Sequence, residues 1–336
     1  MTDPAGRVSR RRALSLVAAG TASVAGLVAC QPARLVRRDP SRRLVLRINV
    51  YGSAAYAPLL MMRERRLLED AIPGLSVEWK VIPAPEAVNE ALRDGGLDIA
   101  TGSPTALLAA REAALPARVV AAISALPCAI VGRAGLQSLA GIGKQDRIAV
   151  PEPSSFESAL LQLAALQEFG DPRALEPNLL YRSDAEALPA LRLGKDMAAH
   201  VAMTPVLELE LDGSGPEKLT DSRELFGGLP TTALAYALPN LHDRSGALIK
   251  AFADALAEGA RRAQREPVGT ARLISETVEL KSSPERLGGI LDRSGWQLAG
   301  LPFGVTRLAE LWHLTGRLRQ SPSSWIDLAF DGVDGG

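Results

Sequence analysis

Four short segments put hydroxyl groups at the head of what reads as a helix: Gly52-Ser53-Ala54-Ala55-Tyr56, Thr101-Gly102-Ser103-Pro104, Pro153-Ser154-Ser155 and Met203-Thr204-Pro205. The first turn of a helix has backbone N–H groups without partners and the positive end of the helix dipole, so such a segment favours an anion. A hydroxyl there adds a directed hydrogen bond. Each Ser or Thr can equally do no more than cap its own helix, which is worth about 1 kcal/mol. Several such turns converging on one cleft would make a binding site, whereas one alone makes a cap.

Other chemistries lack their parts. His200, His242 and His313 lie far apart and no Cys-x-x-Cys exists, so the spacing of a zinc site is missing and no metal or cofactor is expected. Each His reads as a surface or capped core residue. There is no Gly-x-Ser-x-Gly elbow. Gly141-Ile142-Gly143-Lys144 has no Gly five residues before Gly143, and Gln145 follows where a phosphate-binding loop needs Ser or Thr. Glu208 and Glu210, two apart on a predicted helix, do not share a face and read as solvated rather than as an acid–base pair. The 38 Lys+Arg balance the 38 Asp+Glu, and only four Trp, four Tyr and six Phe are available for stacking, so nucleic acid is excluded as a partner. No enzyme is expected.

The elements that must position the four turns follow from periodicity. Apolar runs at Leu44 to Val50, Leu75 to Ile82, Val119 to Ile123, Ala129 to Val131, Arg147 to Val150 and Asn178 to Tyr181 are each followed by a turn and a helical pattern. That alternation predicts an α/β fold with a largely parallel sheet. Pro58, Pro85-Glu86, Ser103-Pro104 and Thr204-Pro205 mark helix starts, and Ser154-Ser155-Phe156-Glu157 reads as a capping box with Ser154 at the cap and Glu157 at its third helical position. From Asp243 onward the pattern is helical. The segment from Ala91 through Gly95-Gly96 to Ser103-Pro104 is echoed from Ala190 through Gly194 to Thr204-Pro205, each a helix end, glycine stop, short strand and hydroxyl-proline start. The spacings differ, so the echo is weak; it suggests two half-domains on one plan.

The amino terminus is an export signal. Arg7, Arg10, Arg11 and Arg12 precede an uncharged run from Ala13 to Ala29 that is diluted by Ser, Gly and Thr. It is shorter than the roughly 20 residues of a membrane-spanning helix. Ser9-Arg10-Arg11-Arg12-Ala13-Leu14 resembles a twin-arginine signal, with Ala13 where that pattern prefers Phe, and Leu27-Val28-Ala29-Cys30 resembles a lipobox. Residues 1–29 are therefore expected to be removed and Cys30 to be lipidated as the anchor to a membrane. Residues 30–43 read as a flexible tether with five arginines, suited to anionic lipid head groups. From Leu44 the chain has 29 basic against 36 acidic residues, and Cys128 is its only thiol, which leaves no intrachain disulfide.

The runs Val50 to Leu60, Gly95 to Pro104 and Ile148 to Ser155, together with His200 to Pro205, Phe226 to Thr232 and Ser324 to Leu328, resemble the solute-binding proteins of ABC importers for nitrate, sulfonates and taurine. The resemblance extends from about Leu44 to Phe330. It implies a type II periplasmic-binding-protein fold: two α/β lobes, 44–127 plus 229–330 and 128–228, joined by two crossovers around a ligand cleft. It implies ligand contacts at Ser53, Tyr56, Thr101, Ser103, Ser154, Ser155 and Thr204, a small-molecule ligand, and an ABC permease with its ATPase as partners. Met203-Thr204-Pro205 stands where many relatives have a Trp-Glu-Pro type of turn. The cleft turns carry no Lys or Arg, Arg182 being the nearest, so an oxyanion such as a sulfonate would be held by N–H groups and hydroxyls. Glu152 or Glu208 in the cleft would instead argue for a cationic or neutral ligand. Two alternatives use the same fold: a ligand-sensing protein for a membrane receptor, and an enzyme of pyrimidine-precursor or menaquinone-related chemistry. A transcription regulator is excluded, since no DNA-binding helix pair precedes Leu44.

Overall fold

The computed structural model describes residues 44–336, apart from 83, 195–196, 214 and 276–281. The expected export signal, Cys30, the expected tether and Lys195-Asp196 of the echoed segment lie outside the described residues. Eleven strands are described: β1 Leu44–Asn49, β2 Leu75–Lys80, β3 Ala100–Gly102, β4 Arg118–Ala125, β5 Cys128–Gly132, β6 Ile148–Val150, β7 Leu179–Tyr181, β8 Ala199–Met203, β9 Glu217–Asp221, β10 Ala233–Ala237 and β11 Gln297–Leu298.

One group of strands runs β11-β4-β10-β3, beside which β1 and β2 pair in parallel; a parallel bridge from Ile48 to Ile99 ties β1 to the chain entering β3. The other sheet runs β7-β6-β8-β5-β9. The expectation of a largely parallel sheet needs correction. β6 is parallel to β7 and β8, but β5 is antiparallel to β8 and β9, and β10 is antiparallel to β3 and β4. Parallel neighbours need a long crossover. The link from β4 to β5 is only Leu126-Pro127, and the chain returns to β10 through residues 227–232, so both strands enter their sheets without a covering helix and lie against the local direction.

Local chemistry sets where the helices begin. Ser103 caps the helix Pro104–Glu112, its Oγ accepting the Ala106 N–H at 3.2 Å. The helix Phe156–Phe169 is capped by Ser155, whose Oγ accepts the Ser158 N–H at 3.0 Å, so the cap falls one residue later than the Ser154/Glu157 box predicts. The Thr204–Pro205 peptide is cis, and Pro205 rather than Thr204 precedes the helix Val206–Leu211. Gly95 and Gly194 both adopt left-handed backbone, φ +75° and +61°, as glycine stops do. Among the described residues no helix is long and apolar enough to cross a membrane.

Helix Pro239–Arg265, broken at Ser245, packs on the helix Ala57–Glu64. Gly259 permits that approach: a Cβ there would stand 2.3 Å from the Pro58 carbonyl oxygen and 3.3 Å from the Met62 nitrogen. Alanine gains up to about 1 kcal/mol of helix propensity over glycine. Forcing two backbones apart costs about 1–3 kcal/mol or more, and here the obstacle is a carbonyl that cannot rotate away. Gly259→Ala is therefore expected to lose about 2 kcal/mol net in denaturant unfolding; a neutral or stabilising result would contradict this packing.

Candidate functional site

The carboxyl ends of β1, β3, β6 and β8 open on one cleft of about 360 Å³. From β1 come Tyr51, Ser53, Ala55 and Tyr56; from β3, Thr101, Gly102 and Ser103. β6 supplies Pro151, Glu152, Ser155, Phe156 and Glu157, and β8 supplies Met203, while Thr232 and Tyr236 of the returning strand close the floor. Both groups of strands thus contribute walls, which is where open α/β sheets hold ligands. A groove of about 770 Å³ elsewhere is lined only by residues of 108–118, 239 and 318–327. It touches nothing in 128–228, so relative motion of the two sheets cannot seal it.

Buried hydrogen bonds hold these walls. Asn49, fully buried, donates from Nδ2 to the Thr101 carbonyl at 2.9 Å and accepts the Thr101 N–H on Oδ1 at 2.6 Å, while Thr101 Oγ1 donates to the Asn49 carbonyl at 3.0 Å. This lock joins the end of β1 to β3 and so fixes the Tyr51–Ser53 turn against the Thr101–Ser103 turn. Tyr236 donates to Asn89 Oδ1 at 2.8 Å, and Asn89 Nδ2 donates to the Ala106 carbonyl at 3.1 Å. Ser124 Oγ donates to the Ala55 carbonyl at 2.7 Å, and Thr232 Oγ1 accepts the Leu126 N–H at 3.2 Å, where the chain leaves the first sheet. Asn49, Asn89 and Ser124 belong to none of the runs that carry the resemblance, and Thr232 only ends one of them. For Asn49 and Ser124 the only local signal is a polar residue ending or interrupting an apolar strand, and Asn89 is a polar residue on the buried face of the helix Pro85–Arg93.

Of the residues expected at the site, Ser53, Tyr56, Thr101, Ser103 and Ser155 line the cleft together. Ser154 and Thr204 do not. Thr204 is buried, donates to Glu208 Oε1 at 2.8 Å and gives its N–H to the Pro127 carbonyl at 2.9 Å. Arg182 is exposed and outside the lining. Several expected hydroxyls are engaged within the fold: Ser103 and Ser155 cap their helices, and Thr101 serves the Asn49 lock.

The lining holds two carboxyls and no Lys or Arg. Burial pushes Glu157 up to about 7, against the lowering effect of its own backbone N–H. Burial, and next the charge of Glu86, raises Glu152. Burial, with Glu152 and Glu86 nearby, pushes the Tyr51 phenol up to about 12, and burial holds Tyr56 and Tyr236 well above the usual phenol range. All three are neutral near pH 7.

The reading of Glu210 as solvated is overturned. Glu210 is buried and its Oε1 lies 2.5 Å from Nδ1 of the fully buried His200, whose Nε2 faces Asp184 Oδ1 at 3.3 Å. Burial alone would lower the imidazole, but the carboxylates of Asp184 and Glu210 beside it outweigh that and raise His200 to about 9. Glu208 is half-buried against Thr204, and burial raises its carboxyl. Among the described residues no cluster of His, Cys, Asp and Glu could hold a metal.

Residues 53–214 match the family model described as "ABC transporter, phosphonate, periplasmic substrate-binding protein". No curated protein matches the chain. The periplasmic aliphatic sulphonate binding protein of Escherichia coli is 19% identical, with a TM-score of 0.67 over 85% of this chain and 99% of that one. The alkanesulfonate-binding protein of Xanthomonas axonopodis pv. citri, solved with MOPS, is 22% identical, with a TM-score of 0.61 over 84% and 96% of the two chains. A Candida albicans protein described as having the generic periplasmic binding protein structural fold is 14% identical, with a TM-score of 0.59 over 86% and 96%. The matched model and these two sulfonate binders are substrate-binding proteins, not enzymes. Over residues 53–214 this chain is similar to the periplasmic substrate-binding proteins of ABC transporters, and over its described length it has the periplasmic-binding-protein fold.

Proposed function

We propose that the chain is the extracytoplasmic substrate-binding component of an ABC importer. A lobe of 44–127 plus 229–330 and a lobe of 128–228 close over a small solute, and the closed form docks on a membrane permease and, through it, an ATPase. The observation that carries this reading is the cleft lined from both sheets at their strand ends. A ligand that touches both walls stabilises the closed arrangement in proportion to its differential affinity for it. Ser53, Tyr56, Thr101, Ser103 and Ser155 are the wall residues on which it rests, Ser154 and Thr204 lying outside the lining. Export through the twin-arginine-like signal and lipidation of Cys30 keep the protein at the outer face of a membrane. The resemblance and the names of the two sulfonate-binding neighbours suggest an oxyanion, which the helices that begin at Pro104 and Phe156 would have to receive against two carboxyls in the lining.

X-ray scattering of the purified protein, paired with thermal denaturation across a panel of sulfonates, nitrate, organic amines and heterocycles, tests the reading. A solute present at 100 times its Kd should stabilise by about 2.7 kcal/mol and reduce the radius of gyration. Stabilisation without compaction would sink hinge closure, and no stabilisation by any class would sink the binding-protein reading.

A further inference from the structure

The charge of the cleft sets a condition on its solute that the resemblance does not. Glu152 and Glu157 face it with no Lys or Arg in the lining, and exposed Glu86 acts on Glu152 and on Tyr51 from nearby. Three of the hydroxyls an anion would use are already engaged, while Ser53 makes no capping bond. Ser103 Oγ accepts the Ala106 N–H and lies 2.7 Å from Thr105 Oγ1; Ser155 Oγ accepts the Ser158 N–H and donates to Ser158 Oγ at 3.2 Å; Thr101 Oγ1 donates to the Asn49 carbonyl. The two helix termini are therefore capped by their own serines.

The remaining wall is aromatic. The Tyr51 and Tyr56 rings lie 5.0 Å apart, tilted by 51°, and Phe156 and Tyr236 complete it. Ring faces carry negative electrostatic potential and attract cations. An anion seated here would meet two carboxyl groups and no Lys or Arg in a site where water screens poorly, whereas a cation would favour their ionised forms. A carboxylate held out of water without a counter-charge also gains most when a ligand brings one.

Resting on the importer reading above, we infer that the solute carries a positively charged nitrogen, as an organic ammonium or protonated heteroaromatic ring, with Glu152 and Glu157 as its counter-charges and Tyr51 and Tyr56 as its walls. The two glutamates are thus the specificity-determining residues of the cleft.

Calorimetric titration with three probes of similar size tests this: benzylammonium, benzyl alcohol and benzenesulfonate, against the wild type, Glu152→Gln, Glu157→Gln and the double variant. Benzylammonium is expected to bind at least about tenfold more tightly than benzenesulfonate, and each glutamine to weaken the cation by about tenfold while leaving the alcohol unchanged. Melting curves of the variants check that they fold. Tighter binding of benzenesulfonate, or unchanged cation binding in the double variant, would overturn the inference and leave the importer reading standing. If the folded wild type binds none of the three probes and nothing in the wider panel, both readings fall.

Discussion

Glu210→Ala is expected to cost about 3–5 kcal/mol near pH 6.5, a fall of order 10 °C in melting temperature, because it strands His200 as a buried cation with one of its two carboxylates gone. His200 is fully buried in β8 at the middle of the second sheet, and Glu210 is buried with it, so water cannot take over the lost partner. The same pair makes stability depend on pH. His200 titrates at about 9 in the folded chain and near 6.5 when unfolded. A group whose folded pKa is raised gives stability that is fully present below the unfolded value and is lost as pH rises through the folded one. The wild type should thus lose about 3 kcal/mol between pH 6.5 and 9.5 from this group. In Glu210→Ala the imidazole can shed its proton more easily, so the slope flattens and the two proteins converge above pH 9. Urea unfolding at pH 6, 7.5 and 9 measures this. An equal loss at all three values would show that the cost is packing and not charge.

That cluster also shows where reading along the chain stops. Glu208 and Glu210 are two apart on a short segment, and local periodicity offers nothing to say that Glu210 turns inward to a histidine ten residues before it. Burying a charge is a three-dimensional decision, made by the partner. β4 was legible because burial on both faces writes a nearly continuous apolar run, and β1 and β2 because apolar residues recur at every second position, Leu44, Leu46 and Ile48 in one and Leu75, Val77 and Trp79 in the other. β10 is Ala233-Leu234-Ala235-Tyr236-Ala237, low in β-branched residues, and its central place comes from the two neighbours that it pairs with rather than from propensity. β9, Glu217–Asp221, is a polar edge strand that sequence reads as a loop.

Turn chemistry was legible to within a residue, and that residue mattered. Ser103-Pro104 specifies its helix start without ambiguity, whereas the doublet Ser154-Ser155 offers two caps, Ser154 toward Glu157 and Ser155 toward Ser158; the fold uses the second. That choice places Ser155 and Glu157 in the lining and leaves Ser154 out of it. The sign of the cleft was half legible. The absence of Lys and Arg from the turns can be read directly, but the convergence of Glu152 and Glu157 with the tyrosines depends on the fold bringing the ends of β1 and β6 to one cleft.

The largest effect on the cleft itself is expected from a residue that touches no solute. Asn49→Ala removes both partners of the Thr101 backbone, the acceptor for its N–H and the donor to its carbonyl, in a place that is fully buried. A buried backbone group left unpaired costs about 1–3 kcal/mol, so two cost about 2–4 kcal/mol with the small cavity included. Thr101→Val, by contrast, loses only the hydroxyl bond to the Asn49 carbonyl and should cost about 1 kcal/mol. Stability is one readout. The other is affinity: the lock holds the Tyr51–Ser53 turn against the Thr101–Ser103 turn, so its loss lets two walls of the cleft move independently, and binding of any solute that spans them should fall more than tenfold in the fraction that remains folded. An ordinary core defect would lower the melting temperature and leave the affinity of the folded protein alone. Equal affinity in Asn49→Ala and the wild type, measured well below the melting point, would assign Asn49 to the core and deny it a part in shaping the cleft.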